Sequence, residues 1–264
     1  MRRLPVLLLL GFCAGAHGEP AARVVSLDYC ADQYVLELLP RASILALSPD
    51  AEQDFAYHRE QAAGLPTVRP VAEDVLALRP TLVVRSYGGG PLALAFFERA
   101  GIPVVQVPYA DDIAAIRTAV TTVAEALGVA ERGVAVVADM DERLAAVEGA
   151  ASGQSALYLS AGGATSGPGT LVHALLEAAG FANYETRPGW HSVPLERLAG
   201  AEPDVVVASF FGGAAERTAW WSAMRHPVAR EQLESRPTVL LPGALTACGA
   251  WFAVDAVERL AAAR

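Results

Sequence analysis

Apolar residues along this chain fall into short runs separated by stretches of helical periodicity. "RVVSL" (Arg23–Leu27) reads as a buried strand and "ADQYVLELL" (Ala31–Leu39) as the helix that follows it. "SILALS" (Ser43–Ser48) is a second strand. "AEDVLAL" (Ala72–Leu78) is a helix stopped by Pro80, and "TLVVRS" (Thr81–Ser86) is a strand running into the turn "YGGG". "LALAFFERA" (Leu92–Ala100) is a helix closed by Gly101, before the strand "IPVVQV" (Ile102–Val107).

The pattern then changes. From Asp111 to about Ala150 the residues are almost all helix formers, broken near Gly128. Val134, Val137, Met140, Leu144 and Val147 recur at three- and four-residue steps, which predicts a continuous helix long enough to connect two lobes. Alternation restarts after it. Strands are expected at Ala156–Ser160, Asp204–Ser209 and Thr238–Gly243, and helices at Leu171–Gly180, Leu195–Gly200 and Trp251–Ala263.

The two halves echo each other. "AEDVLALRPTLVV" (72–84) parallels "LERLAGAEPDVVV" (195–207), with Glu73 and Glu196 each seven residues before a proline, Pro80 and Pro203. Each following strand enters an aromatic, glycine-rich turn, "SYGGG" or "SFFGG". The expected fold class is α/β: two Rossmann-like lobes with central sheets, joined by a single long α-helix. The boundaries are a leader at 1–18, an N-terminal lobe at 19–110, a helical connector at 111–150 and a C-terminal lobe at 151–264.

The start of the chain carries Arg2 and Arg3, an apolar core from Leu4 to Phe12, then small residues. This is the pattern of a secretory signal peptide, with Ala16 and Gly18 at −3 and −1 for cleavage before Glu19. Lipid anchoring at Cys13 is the alternative. No later segment reaches the roughly 20 uninterrupted apolar residues of a membrane span. Export leaves Cys30 and Cys248 in an oxidising compartment, as a disulfide, as two buried thiols or as two cleft-lining thiols. The net charge of −9 argues against nucleic acid as a partner.

The stretch "SAGGATSGPGTL" (Ser160–Leu171) imitates a phosphate loop and fails its test. Pro168 stands where the lysine should be, and all 20 basic residues of the chain are arginine. A strand-to-helix turn with Thr170 near the helix start fits better. The serine-hydrolase elbow is absent. Ser160, Ser166, His191 and Asp204 remain the candidates for an exported α/β hydrolase-like enzyme. His58, His173, His191 and His226 show no metal-ligand spacing.

Five segments together resemble a known family: "RVVSLDYCADQ" (23–33), "VLALRPTLVV" (75–84), "AGIPVVQVP" (100–108), "GPGTLVHALLEAAGFAN" (167–183) and "LERLAGAEPDVVVAS" (195–209). They are similar to the periplasmic binding proteins that serve ABC importers for iron–siderophores, haem and cobalamin. The resemblance implies two lobes bridged by a rigid helix around Ala130–Gly149, with ligand held in the cleft between them. It puts the glycine loop on the cleft rim. It implies a monomer with no catalytic residue, no resident cofactor and no bare-metal site, which captures a ferric siderophore, cobalamin or haem. The partner it implies is a dimeric ABC permease, with Glu73 and Glu196 docking onto arginines of that permease.

Ligand contacts are expected from loops at the carboxyl ends of strands. The candidates are Tyr29, Cys30, Arg85, Tyr87, Tyr109, Trp190, His191, Phe210, Phe211 and Trp251, because flat apolar faces with a few polar groups suit a large chelate. Arg69 and Arg187 are further candidates for pairing with ligand carboxylates. Trp190 lies six residues before Glu196, as a cleft tryptophan does in cobalamin-binding relatives. The opposing aromatic that those relatives place before the first glutamate is absent, since positions 67–69 are Thr67, Val68 and Arg69. Trp220 and Trp221 lie in a helical stretch and read as structural.

Overall fold

The computed structural model describes residues 22–147, 152–210 and 225–264. The leader at 1–18 with Cys13, and Phe211, Trp220 and Trp221, lie outside the described residues, as does the side chain of Phe210.

In the N-terminal lobe the order is β1 (Val24–Ser26), α1 (Tyr29–Leu38), β2 (Ile44–Ala46), α2 (Arg59–Ala62), α3 (Ala72–Ala77), β3 (Leu82–Arg85), α4 (Gly90–Arg99) and β4 (Val104–Gln106). The connector holds α5 (Ile113–Ala126) and α6 (Ala130–Val147). The C-terminal lobe has β5 (Ser155–Ser160), β6 (Ala164–Ser166), α7 (Leu171–Ala178), β7 (Ala182–Asn183), β8 (Trp190–Ser192), α8 (Leu195–Leu198), β9 (Val205–Phe210), α9 (Pro227–Ser235), β10 (Thr238–Pro242) and α10 (Ala253–Ala261).

Among the described residues, each lobe is built on a four-stranded sheet whose pairings are all parallel. The orders are β2-β1-β3-β4 and β7-β5-β9-β10. With β5, β7, β9 and β10 set against β1, β2, β3 and β4, the two orders are the same. The sequence echo is therefore topological: α3–β3 and α8–β9 occupy equivalent places, and Glu73 and Glu196 both lie exposed in the first turn of their helices. The parallel strands are buried on both faces, which explains their unbroken apolar runs.

One face of each sheet contributes to a shared core. Val24, Tyr34 and Val84 from one lobe join Tyr158, Leu175 and Phe252 from the other through Ile116 and Val120 of α5 and Met140 and Leu144 of α6. The opposite faces have private cores, around Val25, Val83 and Phe97 in one lobe and Leu157, Leu159 and Val206 in the other. Each fully buried aliphatic side chain in these layers contributes about 1.5–3 kcal/mol.

The connector is a hairpin rather than one rod. Asp112 caps α5 by accepting from Ala115 N, and Gly128, at φ 73°, turns the chain back into α6. The helix expected around Ala130–Gly149 is α6, and it touches both lobes. Arg132 pairs with Glu37 of α1, while Arg143 reaches Asp255 at 2.6 Å and Glu258 at 2.5 Å on α10. Arg117 of α5 meets Asp141 of α6 at 2.7 Å. Partly exposed pairs of this kind contribute about 0.2–1 kcal/mol each, so the apolar stripe of α6 carries most of its attachment.

The β6–β8 pair and α9 were not anticipated from the sequence. The antiparallel β6–β8 pair is made of three-residue strands separated by α7 and β7, too short for a period to show. Helix α9 begins at Pro227 with His226 as its cap.

Candidate functional site

A cavity of about 290 Å³ opens at the carboxyl ends of β1, β3 and β4. Tyr29, Cys30, Tyr34, Ser86, Tyr87, Gln106 and 107–110 line it from the N-terminal lobe; Ala247, Cys248 and Gly249 close it from the other. Its lining is mainly apolar, and it lies at the switch point where the strand order reverses around β1.

The loop geometry on the N-terminal side depends on one carboxylate that the sequence reading did not single out. Asp28 is buried and caps α1 through Ala31 N at 3.0 Å. It also accepts from Ser86 N at 2.7 Å, Tyr87 N at 3.0 Å, Gly88 N at 2.9 Å and the Ser86 hydroxyl. The turn after β3 is thereby pinned to the turn after β1. Tyr87 consequently stands edge-on to Tyr29, with ring centroids 5.8 Å apart, and Tyr29 meets Phe55 at 5.0 Å. A second carboxylate of α1, Asp32, holds the loop after β2 by accepting from Ser48 N at 3.0 Å and the Ser48 hydroxyl at 2.5 Å. Burial without a cation pushes the Asp32 carboxyl up to about 6, against the lowering effect of its Ser48 bonds.

The segment of the C-terminal lobe that carries Trp190 is built differently. Ser166 of β6 faces Trp190 of β8 in an antiparallel pair. Gly167 N bonds to Gly189 O and Gly189 N to Pro168 O, both at 2.9 Å. A Cβ on Gly167 would stand 1.9 Å from Arg187 O, so only glycine lets the two segments close. The glycine loop is thus a brace for Trp190 and not an open anion cradle, and its helix start is capped by Thr170, which accepts from His173 N at 3.3 Å. Trp190 stands edge-on to Tyr158, 5.9 Å between centroids. The Ser209 and Thr246 hydroxyls lie 3.0 Å apart.

Among the candidates, Tyr29, Cys30, Tyr87 and Tyr109 meet in the cavity, with Tyr87 54% and Tyr109 81% exposed. Trp190, also 54% exposed, and the half-buried His191 lie on β8 of the C-terminal lobe and are not among the residues lining this cavity; His191 Nε2 is 2.8 Å from Pro188 O.

Two expectations need correction. Trp251 is a core residue, 8% exposed, edge-on to Tyr34 at 5.3 Å and beside His58 at 5.7 Å, because the chain turns inward there to start α10. Arg85 does not line the cavity; strand alternation places it on the Val83 face, toward α3 and α4, with Nε buried and without a hydrogen-bond partner. Phe210 ends β9.

Arg69 pairs with Asp74 and Arg187 with the buried Glu185, each at 2.7 Å, so both guanidiniums have partners within the chain. The Arg187 hydrogen bond holds the Glu185 carboxyl down at about 2. Cys30 and Cys248 form a disulfide, which decides among the three options that the sequence left open.

The enzyme candidates do not form a set. Ser160 accepts from Ala164 N, Asp204 accepts from Ser155 N and Oγ at the amino end of β9, and the Ser166 hydroxyl is buried without a partner. None of them bonds to His191 among the described residues. No group of three or more His, Cys, Asp or Glu among those residues could hold a metal ion, and no helix among them is long and apolar enough to cross a membrane.

Residues 24–239 match the family model described as "Periplasmic binding protein". The chain belongs to the periplasmic binding proteins. This is a family of extracytoplasmic substrate-binding proteins. The periplasmic binding protein described here is 28% identical over 212 residues to a "Cobalamin-binding protein" of Halobacterium salinarum, covering 75% of this chain and 56% of that protein's length. It therefore spans only about half of that relative. Among solved structures it is similar to the "periplasmic heme-binding protein RhuT" of Roseiflexus sp. RS-1, with TM-score 0.70, 21% identity, and coverage of 92% of this chain and 99% of that one. It is also similar to an "ABC-type Fe3+-hydroxamate transport system" protein of Saccharomonospora viridis, with TM-score 0.67, 21% identity, and coverage of 92% and 93%. At these identities the structural likeness establishes the fold.

Proposed function

We propose that this periplasmic binding protein captures a metal chelate, a ferric siderophore or a corrinoid such as cobalamin, between its lobes and delivers it to an ABC permease. The observation that carries the reading is the cavity at the switch point, walled by Tyr29, Tyr87 and Tyr109 and closed by 247–249 of the other lobe. Flat aromatic faces bind a macrocycle or chelate through its apolar surface, and the polar atoms of Ser86 and Gln106 orient it. Trp190 and His191 are assigned to the opposite rim. The printed names of the relatives, cobalamin-, haem- and hydroxamate-related, define the ligands to screen, with haem as the alternative within the same family.

Thermal-shift and absorption titrations against cobalamin, cobinamide, haemin and ferric hydroxamates test the reading. A chelate at 100 times its Kd stabilises the folded chain by about 2.7 kcal/mol. No shift with any of the four classes would remove the chelate reading.

The leader at 1–18 is assigned to export into the periplasm, and the exported chain acts as a monomer that meets a permease dimer. Glu73 and Glu196 are assigned as its docking points. They occupy equivalent exposed positions on the two lobes, so two like charges set orientation as well as encounter. Reversing both, Glu73→Lys with Glu196→Lys, is expected to abolish uptake in cells while chelate affinity in vitro stays unchanged. Lost affinity would reject the docking role.

A further inference from the structure

The disulfide does more than join two cysteines distant in sequence. It crosses from α1 of the N-terminal lobe to the segment that leads into α10 of the other, a separation of 218 residues, and both of its cysteines line the cavity. Two hydrogen bonds flank it. The Tyr29 hydroxyl donates to Ala247 O and the Tyr34 hydroxyl to Gly249 O, each at 3.2 Å. Beside them the backbones touch: a Cβ on Gly249 would stand 2.0 Å from Ala110 O. Residues 247–249 are thus fastened to the N-terminal lobe at every residue, and they form the cavity's far wall.

We propose that the Cys30–Cys248 disulfide is a specificity-determining element: it holds the two walls of the cavity at one separation and so selects which chelates fit. The proposal rests on the chelate-binding reading above. Its physical basis is the contrast between the links. Two neutral hydroxyl–carbonyl bonds break and re-form with water as the lobes breathe. A backbone contact separates freely. Of these links only the S–S bond is covalent and cannot open without chemistry, and a receptor whose walls stay together is organised before its ligand arrives. A chain without the bond visits open states: the apparent affinity of a chelate that needs the closed state falls by the fraction of time spent closed, while a chelate that also fits an open state is spared.

Both native cysteines of the exported chain are tied up, so introduced cysteines take dyes selectively. Glu98 on α4 and Glu231 on α9 are exposed, one on each lobe. A Glu98→Cys/Glu231→Cys chain carrying a donor and an acceptor reports lobe separation by single-molecule energy transfer. The oxidised protein is expected to give one narrow distribution. Reduction in place by a thiol reductant, or Cys30→Ser with Cys248→Ser, is expected to broaden it. In-place reduction keeps the test available if the double variant does not fold. Tyr29→Phe with Tyr34→Phe, which keeps the disulfide, is expected to leave the distribution narrow. If that pair broadens it, the role belongs to the hydroxyls and the assignment fails. An unchanged distribution after reduction also overturns it.

The second readout is selectivity across the chelate screen. Reduction is expected to weaken the best ligand about tenfold if the closed state falls to a tenth of the population, and to narrow its lead over the others. Uniform weakening, or a lower melting temperature with unchanged affinities, would show a stabilising bond only. If no chelate binds the oxidised protein, the chelate reading fails, while the dye distances still decide whether the bond fixes the walls.

Discussion

The two lobes share one strand order and differ in how each builds its half of the cleft. In the N-terminal lobe two buried carboxylates of α1, Asp28 and Asp32, gather the loops after β1, β2 and β3 by accepting their backbone N–H groups. In the C-terminal lobe a small antiparallel pair, β6–β8, does the positioning, and the close approach of Gly167 to Arg187 O replaces the carboxylates. A repeated sheet is therefore a scaffold that fixes where loops leave and leaves open what holds them. Recognition can diverge between the lobes without disturbing the shared core.

Tryptophans give the largest test of this contrast. Trp251 and Trp190 stand at comparable places in the sequence, each ahead of a C-terminal-lobe helix, but one is core and the other exposed. Trp251→Ala is expected to cost about 4 kcal/mol in chemical denaturation, as a large buried aromatic does. Trp190→Ala is expected to cost under about 1 kcal/mol and to weaken chelate binding instead. Equal stability costs would break the assignment of core and rim.

The helix caps at the two rims come next. Asp28→Asn leaves several N–H groups of the 86–88 turn facing an amide in place of a carboxylate, with an expected loss of about 3 kcal/mol. Thr170→Ala removes one cap bond, with an expected loss of about 1 kcal/mol. Urea midpoints of the two variants rank the lobes. If Thr170→Ala costs as much as Asp28→Asn, the N-terminal rim does not depend on its carboxylate in the way described.

The smallest effect is in pH dependence, where the lobes have opposite signs. The Asp32 carboxyl sits at about 6 in the folded chain, above its unfolded value near 3.8, so the folded state holds the extra proton between them. Its contribution falls as pH rises from about 4 to 6, by at most about 1.4 kcal/mol per pH unit. Glu185, held at about 2 by Arg187, contributes stability that is present above its unfolded value near 4.5 and is lost as pH falls toward 2. Asp32→Asn should flatten stability between pH 4 and 6, and Glu185→Gln should flatten it between 2 and 4.5. Stability profiles that change in the same window for both variants would contradict the two environments.

Most of the elements were legible because their signals are local. Fully buried parallel strands write continuous apolar runs, and Pro80, Gly101 and Gly180 mark where helices stop. The echo of 72–84 in 195–207 announced the repeated topology before any sheet was seen. The break near Gly128 was visible too, but not that α6 folds back on α5, since a helical stripe records that a face is buried and not against what. The β6–β8 pair was missed because three residues cannot show a period. Asp28 was missed because a residue between a strand and a helix looks like any other cap; four of its five bonds reach residues 86–88, almost 60 positions away.

By itself the sequence determined the order of strands and helices, the division into two related halves and the aromatic character of the loops, since each follows from neighbours in the chain. Tertiary structure alone decided that Trp251 turns inward while Trp190 stays exposed, that Arg85 faces away from the cavity, and that Cys30 finds Cys248. These outcomes depend on which surfaces meet across more than 200 residues, and no local pattern of apolar and polar positions encodes that meeting.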